Sequence, residues 1–435
     1  MTILVLLIVP LFVFAGGQKE AEGSGKVKLT WWVGSWQTQE NPNDRQAYDF
    51  KTIFEKENPD IVLEVVPVDW EGMHDKLLLA TMTNNNPSIM DSEDCLGWTA
   101  EFASTGNTMD LTDFMKNEIG LNKWAIPMAL ENATYKGRLY SFPYRNSTRA
   151  FVWNKDLFSQ AGLDPQSPPK TWANVLDYGK KITKGNNYGF SYPLKRFCTV
   201  APEYVRSLMD SYGADITSRD FTKGTINTPE AKQAIQFWTD LVTKEKIVPM
   251  DIINNDDNND FIMFGTGITG MCMVGPWAID TYKSQSPNLK YGVTTIPSNQ
   301  EGKIGRYGLT SMGHVIRKTV TDAERKAIFT FLKMQIRPEI NVWYTDDLPA
   351  AANFPREGKN PVTGRVINFL DDPYYAPFYA QLSGGGTLPS ALLHPAGPKI
   401  AQEVNVALQR IILGQEVGLV LDEANVIISD LLKSK

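Results

Sequence analysis

Four aromatic residues share one relation to the chain around them: Trp36, Trp98, Tyr144 and Trp277 each follow a short strand-like run. Rings at such places either pack inward or stand as platforms for a ligand with an apolar face. Groups able to move protons or bind hydroxyls lie near them in sequence. Glu93 and Asp94 close the run from Ile89, Arg145 directly follows Tyr144, and Glu203 adjoins Tyr204. Two carboxylates at the right separation suffice for glycoside hydrolysis, which makes Glu93, Asp94 and Glu203 the acid–base candidates. Other catalytic chemistry is poorly supplied. His74, His314 and His394 form no HExxH or HxH pattern, and Cys95, Cys198 and Cys272 form no CxxC pair. Neither a metal centre, a disulfide framework nor a cofactor is therefore expected. The run Asn254–Asp260 is rich in oxygen ligands but lacks the glycine and terminal glutamate of a calcium loop, and it reads as a solvated turn.

The elements that must position these groups alternate. From Val27 the pattern VKLTWWV is strand-like, a helical stretch follows over Asp44–Asn58, and a strand rich in β-branched residues starts at Ile61. Apolar residues at helical spacing over Trp70–Met82 are then stopped by Asn84–Pro87. This order is the signature of an α/β protein with mostly parallel sheets and flanking helices. Further helices are predicted over Thr171–Lys184, Thr228–Lys244, Asp322–Gln335 and Lys399–Gly414, most of them opened by a capping residue and early acids. In such sheets ligands bind beyond the carboxyl ends of strands, which is where the four aromatics fall.

A length of 435 residues suits two lobes of ordinary size, and 42% apolar with 21% charged residues excludes a disordered chain. Lys and Arg number 43 against 49 Asp and Glu, a net charge of −6 without a basic run, so nucleic acid is not an expected partner. Ile3–Phe14 is an uncharged apolar run, too short to span a bilayer but suited to the core of a secretory signal. Residues 1–22 accordingly read as signal peptide and tether, and the protein as exported to the periplasm. No cysteine directly follows the run, so a lipid anchor is not predicted.

An ordered set of motifs goes further. Tyr135–Pro143 (YKGRLYSFP) is followed by Phe151–Phe158 (FVWNKDLF), Ala161–Leu163, Pro169–Trp172 (PKTW), Gly270–Trp277 (GMCMVGPW), Tyr291–Pro297, and the closing Leu408–Gly414 with Leu421–Ala424. This set resembles the family 1 extracellular solute-binding proteins of ABC importers, with Trp153 where the family usually has tyrosine. The resemblance implies a two-lobe periplasmic-binding-protein fold, type II-like, with hinge crossings. It places residues 27–145 plus 313–360 in the N-terminal lobe and 146–312 plus 361–435 in the C-terminal lobe. It also implies a non-catalytic monomer that closes on a carbohydrate and docks on a transporter's membrane permease.

By alignment to the family, Trp277 falls on the position that stacks against sugar, and Glu93, Asp94 and Trp98 fall in a loop of ligand contacts. Tyr144, Arg145 and Asn146 occupy the first crossing, Arg306 and Tyr307 precede the later one, and His394 lies in a cleft-facing loop; Trp36, Glu203 and Tyr204 complete the set. A sugar offers apolar C–H faces and a rim of hydroxyls, so rings beside planar donors and acceptors suit it. The residue types around Glu93–Trp98 depart from those of well-studied sugar binders. Polyamines, glycerophosphates and uronates therefore stay open as solutes, as does a secreted carbohydrate-active enzyme.

Overall fold

The computed structural model describes residues 25–35, 42–120, 126–299, 302–337, 339–340, 348–349, 357–359, 366–368 and 370–433. Trp36 and the N-terminal apolar run lie outside them.

Two sheets organise the chain. The first has the strand order Leu348–Pro349, Ser141–Ser147, Thr310–Ile316, Ile89–Glu93, Val27–Ser35, Ile61–Asp69. The second has Ala150–Asn154 between Met271–Val274 and Tyr291–Thr294. The expected two-lobe α/β fold is present, but within these two sheets the parallel pairs are those of Val27–Ser35 with its two neighbours. Every pair in the second sheet is antiparallel, which corrects the expectation of a mostly parallel sheet there. The cause is the direction of the crossings. Ser141–Ser147 leaves the first sheet and, after the link Thr148–Arg149, the chain enters the second as Ala150–Asn154. Thr310–Ile316 makes the return. Each strand arriving from the other lobe takes an inner position and runs opposite to both neighbours, so both pair with it antiparallel.

Helix limits follow local chemistry. Thr171, Thr321 and Asp256 form capping boxes with Asn174, Glu324 and Asn259, and these start the helices Trp172–Ile182, Asp322–Gln335 and Asp257–Gly265. The third of these overturns the solvated turn expected at 254–260, because Asp256 caps a helix and Asp257 turns back into the protein. Trp31 anchors one core, with the rings of Phe50, His314 and Phe331 meeting it edge-on. Trp172, Phe190 and Trp238 anchor another. This second core runs on across the lobe contact through Leu392 and Ala396 to Leu96 and Trp98.

Candidate functional site

The first lobe contributes one turn. Ile89–Glu93 runs into the short helix Asp94–Leu96, which Gly97 stops with φ 81°, a left-handed conformation that favours glycine. A Cβ at Gly97 would overlap the carbonyl oxygens of Leu392 and His394, so only a bare backbone lets this segment of the other lobe lie on the turn. Ser390 Oγ reinforces the contact by donating to the Cys95 carbonyl at 2.5 Å. Asp94 is wholly buried and accepts from Thr99 Oγ1 at 2.5 Å. Burial pushes its carboxyl up to about 7 against the opposing pull of the Thr99, Ser141 and Ser92 hydroxyls. Trp98 opens the next helix, stacks on Trp70 and tilts against His74.

The second lobe contributes an aromatic cage around a cation. Arg149, in the two-residue crossing link, is 2% exposed. Its Nη2 meets Asp257 Oδ2 at 2.9 Å and its Nε donates to the Tyr204 hydroxyl at 3.3 Å. Tyr204 in turn donates to Asp257. The guanidinium carbon lies 4.3 Å from the ring centre of Trp277, 5.7 Å from that of Tyr307 and 5.9 Å from that of Tyr204. Burial works against the charge, but Asp257 and the two phenol oxygens hold the guanidinium firmly protonated. Nη1 is buried without a partner.

Beside the cage, Arg206 is gripped by Glu203 at 3.0 Å and by both oxygens of Asp215 at 2.7 and 2.9 Å. Burial raises the Glu203 carboxyl above its ordinary range while Arg206 pulls it down. The second oxygen of Glu203, Oε1, is buried and unpartnered. The turn and the cage share one electrostatic environment. Burial pushes the Cys95 thiol up, and the charges of Glu93, Glu203 and Asp94 push it further. Tyr307 feels Arg149, Glu203, Asp257 and Cys95 together.

Of the residues singled out from sequence, Glu93, Asp94, Glu203, Tyr204, Trp277 and Tyr307 are gathered at this contact, with Trp98 behind the turn. Tyr144 is not among them: it is 1% exposed inside the first lobe, with its hydroxyl 3.4 Å from Asp91. Arg145 lies against the sulfur of Met312, and Asn146 is buried in the sheet. Arg306 is exposed and pairs with Asp210 on the outer surface. His394 is half-buried, and its Nδ1 accepts from the Ala396 amide at 3.1 Å. Arg149 was missed by sequence reasoning, because its partners at 204, 257 and 277 are far along the chain; the available signal was an arginine two residues before the strand motif FVWN. Cavities of about 550 Å³ beside Phe114 and Phe329 and about 340 Å³ beside Trp172 and Phe237 open elsewhere, and no residue of the interlobe contact lines them. Among the described residues no cluster of His, Cys, Asp or Glu could hold a metal ion, and no helix is long and apolar enough to cross a membrane.

Two α/β lobes joined by neighbouring crossing strands, with rings and buried polar groups where they meet, define the two-lobe solute-binding architecture. The family model for the bacterial extracellular solute-binding proteins matches residues 38–342, and the chain belongs to that family. A Brucella abortus protein named only as a binding protein is 28% identical over 411 residues, 92% of each chain. The maltotriose-binding protein of Pyrococcus abyssi is 25% identical over 396 residues, 88% of this chain and 76% of that one. An ABC transporter solute-binding protein of Thermotoga lettingae, solved with α-D-tagatose, superposes with a TM-score of 0.79 at 22% identity, over 94% of this chain and 100% of that one.

Proposed function

We propose that the protein is the exported, non-catalytic binding component of an ABC importer, capturing a carbohydrate between its lobes and delivering it to the membrane permease as a monomer. The observation that carries this reading is that the buried arginines of the interlobe layer are already paired with carboxylates, beside a wall of rings. Arg149 is matched by Asp257, and Arg206 by Glu203 and Asp215, while the rings of Trp277, Tyr204 and Tyr307 stand alongside. A phosphate calls for an unmatched cation, which this layer lacks among the described residues, whereas a neutral polyol asks for rings beside hydrogen-bonding groups. Glu93, Asp94, Trp98, Glu203, Tyr204, Trp277 and Tyr307 are the proposed contacts. The maltotriose-binding relative and the tagatose-bound neighbour support the solute class. The apolar run Ile3–Phe14 supports export to the periplasm. The lobes are proposed to divide at 27–145 plus 313–360 and 146–312 plus 361–435.

A thermal-shift screen of the chain from Gly23 tests this, since a ligand that binds only the native state raises the melting temperature. The expected result is a rise with a mono- or oligosaccharide. A rise only with spermidine or glycerol 3-phosphate discards the carbohydrate, and release of product from oligosaccharides discards the non-catalytic role.

A further inference from the structure

Among the buried polar atoms of the interlobe layer left without a partner are a donor and an acceptor in the cage, Arg149 Nη1 and Glu203 Oε1. Both side chains are more than nine-tenths buried, and the charge of Arg149 acts on Glu203. An unmatched buried donor or acceptor is costly, so a site that keeps one of each is made for a group that can satisfy both.

We propose that Arg149 and Glu203 form a selectivity pair that anchors a neutral hydroxyl of the solute, with Asp257 cancelling the charge that would otherwise attract an anion. The inference deepens the carbohydrate reading and rests on it. A hydroxyl accepts from Arg149 Nη1 and donates to Glu203 Oε1, or two vicinal hydroxyls take one atom each. A carboxylate or phosphate accepts from Nη1, but it cannot donate to Glu203 and it meets the negative charges of Glu203 and Asp257. An ammonium donates to Glu203 but meets the guanidinium. The cage fixes the donor in place: Trp277, Tyr204 and Tyr307 surround the guanidinium while Asp257 and the Tyr204 hydroxyl hold Nη2 and Nε. Nη1 is thus the one nitrogen left to the solute, and little side-chain freedom remains to be lost on binding. Arg149 also lies in the link between the lobes, so a solute held there touches the crossing itself.

The test is titration calorimetry of the wild type, Asp257→Asn, Arg149→Met and Arg149→Lys. The probes are glucose with glucuronate, galactose with galacturonate, maltotriose, glycerol 3-phosphate and spermidine. The wild type is expected to take a neutral sugar over its uronate, with an affinity independent of salt between about 0.02 and 0.5 M, because no ion pair is screened. Asp257→Asn is expected to raise the uronate-to-neutral affinity ratio at least about tenfold, as an unmatched guanidinium gains a charged acceptor. Arg149→Met is expected to weaken the neutral sugar about tenfold or more, and Arg149→Lys, which keeps the charge but loses the fork, is expected not to restore it. Melting curves by circular dichroism accompany each variant, and the salt series needs no variant. If the wild type binds a neutral sugar but binding falls with salt, or the ratio in Asp257→Asn is unchanged, this inference falls and the carbohydrate reading stands. If the wild type prefers glycerol 3-phosphate or spermidine, both fall.

Discussion

The imidazole of His314 lies flat on the phenol ring of Tyr144, with centroids 4.1 Å apart and planes 4° from parallel. The two belong to the neighbouring strands by which the chain returns to and leaves the first lobe. Both reach Asp91 on the next strands of that sheet: His314 Nδ1 at 3.0 Å, and the Tyr144 hydroxyl at 3.4 Å, while Trp31 Nε1 donates to the same carboxylate at 2.8 Å. The crossing strands are thereby pinned to the first lobe by side chains as well as by their ladder. Burial lowers the imidazole's proton affinity while Asp91, facing Nδ1, opposes it.

Replacing His314 by Leu removes that ring and leaves the buried carboxylate short of a partner. A loss of about 1–3 kcal/mol in urea unfolding is expected. Unchanged stability would show that the stack and its hydrogen bond are dispensable.

Trp277→Ala is expected to weaken solute binding by on the order of 2 kcal/mol, as buried aromatic anchors do. It also strips the nearest ring from the Arg149 guanidinium, so the melting temperature should fall as well. Calorimetry and a melting curve read the two effects separately, and full affinity would remove Trp277 from the site.

Gly97→Ala meets two obstacles, a left-handed backbone and the carbonyls of Leu392 and His394. The expected outcome is a chain that folds but whose lobes part, with a larger radius of gyration in X-ray scattering and stability lower by about 1 kcal/mol or more. A variant as compact and stable as the wild type would refute the contact.

Stability should fall as pH rises. Burial pushes the Asp260 carboxyl up to about 8, with Asp257 adding to the rise and Ser191 and Arg149 opposing it. The folded chain keeps this proton up to about 8, whereas the unfolded chain releases it near 4. Between those limits the folded state holds more protons, so raising pH favours unfolding. Asp94 acts in the same sense up to about 7, which leaves Asp260 the steeper contributor between 7 and 8. Urea midpoints should therefore drop from pH 5 to pH 8, and Asp260→Asn should flatten the last part of the drop. A midpoint that rises over this range contradicts the assignment.

Local chemistry made much of the fold legible. Trp70–Met82 and Asp322–Gln335 have the limits expected of them, because the Asn84–Pro87 stop and the Thr321 cap are short-range signals. The ordered motifs brought out the two-lobe architecture. Strand direction was less accessible, since pairing in the second sheet depends on where the crossing strand inserts and not on any local pattern. The acidic run 254–260 was misread for a similar reason: its partner, Arg149, lies 108 residues from Asp257. Tyr144 and Arg306 show the converse. Their types suited a ligand, but His314 and Asp210 were beyond the reach of any sequence window.

The pairing of Asp91 with His314 spans 223 residues. The strand that joins the two halves of the first sheet is thus among the later parts of the chain to be made, and a fragment ending before Thr310 lacks the middle of that sheet. Contacts so distant in sequence form slowly, because a long loop must close before they contribute. A chain threaded N-terminus first through a narrow pore consequently carries its leading half as an unconsolidated polymer, pliable enough to pass, and acquires a rigid body only when the return strand has followed it through.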